Sequence, residues 1–243
     1  KNKKYTLVNK CIGARNEKKK FNITLGQSAS STLPSAPSAA QYTYFEDYDK
    51  IMIWGKHTQI VKSVDTEVDS INALVEQKKV PPVDFLSIDA QGSELDIIEG
   101  ASLMLSSSIV GILCEVEFAE LYSKQPLFCD IQYRLHKDGF HLCELMSVQR
   151  FNAYPFVKEL QGKGFYTVDE ALFLKEPHEL IDTPEGYFDV LSPAVIIQTV
   201  TRYLKLAAVA TAFDQIDFSL MIVRALEKKG LISLNKLAQN SAC

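Results

Sequence analysis

Three acidic residues, Asp89, Glu94 and Glu115, stand where side chains can do chemistry. Val83-Asp-Phe-Leu-Ser-Ile-Asp89 is a β-rich run that ends on a carboxylate. Ile109 to Phe118 is nearly unbroken in its apolar character until Glu115, the pattern of a strand buried on both faces. Adjacent parallel strands sit about 4.8 Å apart, so if these two runs are neighbours, Asp89 and Glu115 face one crevice. Such a pair can transfer protons, hold a divalent ion through oxygen ligands or grip hydroxyl groups. Quieter roles compete for the first two. Asp89 can accept the amide hydrogens of the Gln91-Gly92 turn, and Glu94, in the first turn of a helix, complements its dipole whatever the function. Glu115 is harder to place, because a carboxylate inside an apolar strand needs a partner.

The elements that position these residues follow from periodicity and punctuation. Tyr5 to Ile12 reads as a short strand ending at Gly13, and Lys20 to Leu25 alternates like a second, closing a hairpin around Ala14 to Lys19. From Ser28 to Ala40 every residue but Leu33 is Ser, Ala, Thr or Pro, which makes a loop. Ile60 to Val64 reads as a strand, and Thr66 or Asp69 can cap a helix running to about Lys78. Pro81 and Pro82 end that helix before the Asp89 strand. Ser93 and Asp96 match a capping box for a helix to about Leu105. A helix from Gln125-Pro126 to Lys137, a strand from Phe140 to Leu145 and a last strand from Val168 to Lys175 complete the series. Strand, helix, strand, helix, strand specifies an α/β sheet of parallel character with right-handed crossovers. After Pro177 the pattern is helical: Ser192-Pro193 opens a helix to about Ala210, and others run from Asp217 to Lys229 and from Ser233 to Gln239.

Length and composition set the frame. The 243 residues suffice for a domain of 1–176 and a helical extension of 177–243, with 47% apolar and 23% charged residues, close to globular averages. A net charge of −4 argues against a whole-surface footprint for nucleic acid, although the first twenty residues hold eight basic side chains against one acid. Five cysteines without a C-x-x-C pair suit buried thiols in a reducing compartment, so the cytoplasm is the expected location. No apolar stretch is long enough for a membrane span. The four histidines lack metal-ligand spacing. Neither a Walker loop nor a G-x-G-x-x-G or G-x-S-x-G motif occurs. The residues alone describe an enzyme-like α/β domain with a carboxylate-lined crevice.

The segment Val83-Asp-Phe-Leu-Ser-Ile-Asp-Ala-Gln-Gly-Ser-Glu-Leu-Asp-Ile-Ile-Glu-Gly-Ala101 resembles the signature of the FkbM-type methyltransferases. Ile112-Leu-Cys-Glu-Val-Glu-Phe118, Leu121-Tyr122, Gln125-Pro-Leu-Phe128, Lys137-Asp-Gly-Phe140 and Glu170-Ala-Leu-Phe-Leu-Lys175 continue in the style of that family. The resemblance covers roughly residues 5 to 176. It implies a Rossmann-like class I methyltransferase sheet that uses S-adenosyl-L-methionine to methylate a hydroxyl of a sugar, glycan or polyketide-like acceptor. An alcohol needs close placement and a base for its departing proton; Asp89 is the first choice and Glu115 the next. Cys11, Ile12 and Gly13 are expected near the adenine, and Gln91, Glu94, Tyr122 and Gln125 near the acceptor, although Tyr122 and Gln125 can equally shape the entry to the next helix. A divalent metal is left open. The glycine-rich first strand-loop and the strand carrying a ribose-binding acid are missing and would precede Lys1, a stretch of about 60 residues. The chain is therefore expected to belong to a longer protein, or to fill the gap with another element, and to bind the cofactor poorly by itself. A non-catalytic relative that keeps the fold as a binding or assembly module is the alternative. The helical extension can pack on the sheet, cap the acceptor site or join two copies as a homodimer.

Overall fold

The computed structural model describes residues 5–47, 50–153, 162–184 and 186–233. The helix expected over Ser233 to Gln239 lies outside the described residues. Along the chain come β1 (Cys11–Ile12), β2 (Glu17–Thr24), the segment 28–40, β3 (Tyr42–Asp47), β4 (Lys50–Ile53), α1 (Trp54–His57), β5 (Ile60–Asp69) and α2 (Ile71–Glu76). Then follow β6 (Phe85–Ile88), α3 (Glu94–Gly100), α4 (Ser102–Ser107), β7 (Gly111–Glu117), α5 (Phe128–Lys137), β8 (Phe140–Leu145), β9 (Gln149–Ala153) and β10 (Phe165–Lys175). The last elements are α6 (His178–Ile181), α7 (Pro193–Ala212) and α8 (Ile216–Lys228).

The expected hairpin does not form. Only Cys11 and Ile12 are extended as a strand, and β5 lies between β1 and β2, parallel to the first and antiparallel to the second. The turn explains the separation: Gly13 N donates to Asp69 O at 3.1 Å and Asn16 Oδ1 accepts from Ser70 N at 3.1 Å, so residues 13–16 carry the chain around the end of β5. The expected cap moves as well. β5 continues through Thr66 to Asp69, and Ser70 caps α2 by accepting from Ala73 N.

The larger sheet runs β4-β3-β9-β10-β7-β6, with β8 pairing the end of β10 that β9 leaves free. It is not of parallel character: β6–β7 is its one parallel pair among the described residues. β7 and β8 do point the same way, both antiparallel to β10, as the strand-helix-strand pattern implies. However, β10 is inserted between them. Its residues 171–174 are buried on both faces, so the sheet interior is where this strand loses most apolar surface to water. Ala171 and Phe173 meet α3, α4 and α5 across Ile98, Leu105 and Leu135. Leu172 and Leu174 meet the C-terminal helices across Leu206, Ile222 and Leu226. The helical extension therefore packs on the sheet. β6 is an edge strand, and no other described strand pairs with its outer side.

Candidate functional site

β6 and β7 run in register, Phe85 beside Gly111 through Ile88 beside Cys114. The next residues, Asp89 just past the end of β6 and Glu115 still within β7, therefore come side by side. The chain then turns sharply: Gln91 takes φ 53° and Gly92 φ 95°. The left-handed form costs a non-glycine residue about 1–2 kcal/mol, and here it aims the Gln91 side chain back over the strand ends. Gln91 Nε2 donates to Asp89 Oδ1 and to Glu115 Oε2, each at 2.8 Å. The Tyr122 hydroxyl stands 2.8 Å from Gln91 Oε1 and 3.0 Å from Ala29 O, which lock the amide from behind.

Glu94, not Asp89, accepts the turn amides. Its Oε1 receives Ala90 N at 2.9 Å and Gly92 N at 3.1 Å. The positive φ at Gln91 turns both N–H groups inward to the start of α3, away from Asp89, which remains exposed. The expected capping box is absent: Ser93 makes no cap bond, and its hydroxyl is 2.9 Å from that of Thr32. Gln125 is buried, and its Oε1 accepts the amides of Leu121, at 2.7 Å, and of Tyr122. Its carbonyl end is thus spent on the chain's own turn.

Glu117 joins this group without having been singled out as a candidate. It follows Glu115 by two positions, and in a strand residues i and i+2 line one face, so the signal was present in the sequence. One oxygen from each of Glu94, Glu115 and Glu117 lies within 4.8 Å of the others. No Lys, Arg or His among the described residues forms an ion pair with any of the three. Burial, then the charge of Asp89, pushes the Glu115 carboxyl up to about 9. Burial, then the charge of Glu94, pushes Glu117 up to about 8; the Gln125 amide faces it too loosely for a well-formed hydrogen bond but still favours its charged form. Glu94 is raised by burial against the pull of its amide donors. The Tyr122 phenol is raised by burial and by Glu115.

Cys11 and Ile12 share a cleft of about 500 Å³ with Asp89, Gln91, Ser93 and Ile97. Gly13 is buried instead, and a Cβ on Gly100 would come within 2.0 Å of Gly13 O. It joins β1 to α3 and does not line the cleft. The segment 28–40 closes over the group: Ser31 Oγ donates to Gln91 O at 2.6 Å, and Ala36 N and Ser123 N bond across to Leu121 O and Pro34 O.

A family model described as the methyltransferase FkbM domain matches residues 2–142. No curated protein and no solved structure matches the chain. With more than half its length matched, the chain belongs to the FkbM methyltransferase family. The matched region contains every residue of the carboxyl group and both cleft walls, and it ends before β10 and the C-terminal helices.

Proposed function

We propose that this protein is an S-adenosyl-L-methionine-dependent O-methyltransferase acting on a hydroxyl of a sugar, glycan or polyketide-like acceptor. The observation that carries the reading is the single Gln91 amide, which lines a cleft beside Asp89 and holds Asp89 and Glu115 together. The cleft volume, about 500 Å³, falls in the range of small-molecule sites. Ile12 and Ile97 offer apolar wall for a purine, and Ser93 and Thr32 offer hydroxyls, so the residues fit an adenosyl group. When bound, that cofactor supplies an electrophilic methyl on a sulfonium. Asp89, exposed and fixed by Gln91, takes the proton that leaves the acceptor oxygen as the new C–O bond forms. Glu115 keeps its own proton at neutral pH, so it shares the Gln91 amide with the base without competing for the role. This assigns the order of the two carboxyls by their settings, one solvated and one buried.

Calorimetric titration of the full-length protein with the cofactor tests the reading, followed by mass spectrometry of candidate acceptors for a gain of one methyl. Binding with methyl gain on an alcohol supports it. No binding at millimolar cofactor would leave the non-catalytic module.

A further inference from the structure

We infer that Glu94, Glu115 and Glu117 form a binding site for a hard divalent cation. The three offer oxygens within 4.8 Å of one another from two different elements, the start of α3 and the end of β7. Glu94 and Glu117 are each only 1% exposed. A second observation points to a missing ligand: Glu117 Oε2 is buried and has no hydrogen-bond partner among the described residues. Buried carboxyl oxygens are costly unless paired, and no basic side chain among the described residues forms an ion pair with these.

The ligand chemistry narrows the ion. The group offers carboxylate oxygens and no imidazole or thiolate, which favours Ca²⁺, Mn²⁺ or Mg²⁺ over Zn²⁺ or copper. Two oxygens on opposite sides of an ion at roughly 2.4 Å each stand about 4.8 Å apart. Oxygens no farther apart than that can close on one ion by side-chain adjustment alone. Half-buried Glu115 and exposed Asp89 mark the open side from which an ion and its remaining waters reach the site. The inference does not depend on methyl transfer, because binding is read without cofactor or acceptor.

The full-length protein, stripped with EDTA, is titrated with MnCl₂ while the free-ion signal is followed by electron paramagnetic resonance. The expected result is one site per chain, saturating below about 100 µM free Mn²⁺, within the span of oxygen-ligated sites, with Ca²⁺ in competition. Glu117→Gln and Glu115→Gln, each isosteric, should weaken uptake at least about tenfold, on the scale seen for disturbed metal sites. Thermal unfolding supplies the second readout. Mn²⁺ should raise the wild-type midpoint and leave that of Glu117→Gln unmoved, while in EDTA the variant should melt no lower than wild type. An undiminished free signal at millimolar Mn²⁺ overturns the inference, as does equal uptake by wild type and both variants.

Discussion

The Tyr122 hydroxyl lies 2.8 Å from Gln91 Oε1, across 31 positions of sequence. That contact decides which way the Gln91 amide faces. With its oxygen toward a phenol that holds its proton, the nitrogen must face the two carboxyls, where it finds Asp89 and Glu115. Gln91→Asn tests the arrangement, since Asn tolerates the left-handed backbone but is one methylene too short to bridge. The melting temperature should stay within about 2 °C of wild type, while methyl transfer falls by roughly tenfold, the worth of one hydrogen bond to a charged group. Unchanged turnover would remove Gln91 from the machinery.

Asp89→Asn keeps the size of the side chain and removes its basicity. If Asp89 accepts the acceptor's proton, kcat should drop by about 10²-fold or more, with cofactor affinity little changed. A parallel loss of cofactor binding would point to a binding role instead.

The buried acids set a pH dependence in metal-free buffer. Between its ordinary value of 4.5 and about 9, folded Glu115 retains a proton that the unfolded chain has released. The folded state then binds more protons than the unfolded one, so stability falls as pH rises through this window, by up to about 1.4 kcal/mol per pH unit for each such group. Glu117 adds to the fall up to about 8. Urea unfolding from about pH 5 to 9 should show a shallower decline for Glu115→Gln than for wild type. Parallel curves would contradict the burial assigned to this carboxyl.

Homodimerisation through the C-terminal helices is best tested without truncation. Removing α7 and α8 would uncover Leu172 and Leu174 of the sheet and confuse association with unfolding. Ile197 on α7 and Leu220 on α8 are 65% and 49% exposed, so Ile197→Asp with Leu220→Asp leaves the core intact. Light scattering should show the mass halved if these faces join two copies, and an unchanged mass counts against that interface.

What the sequence disclosed followed local rules. Acids closing or interrupting apolar strands located Asp89 and Glu115, the first turn of the next helix located Glu94, and Gln91 came only with the family resemblance. Less legible were pairings decided by distant chain. Nothing between Tyr5 and Leu25 announces that β5, some 50 residues on, will part β1 from β2. β10 carries the apolar run Ala171-Leu-Phe-Leu174 of a strand buried on both faces, and only the helices packed on those faces put it between β7 and β8. Glu117 could have been found by counting two along the strand, but its closeness to Glu94 depends on how α3 starts over the end of β6. Turn chemistry lets Asp89 accept the amides of the turn, whereas in the structure two of them, Ala90 N and Gly92 N, go to Glu94.

The segment of small residues from Ser28 to Ala40 looks by composition like spacer. Yet Ala29, Ala36 and Ala39 are almost wholly enclosed, beside Trp54, Leu121 and Tyr122, and Gly55 leaves no room for a methyl group beside Ala40 O. Packing at crystal-like density resists even one added methylene. At Ala29, Ala36 and Ala39 the plain letters are thus a record of tolerance already used up, since bulkier ones would push Tyr122 off its seat.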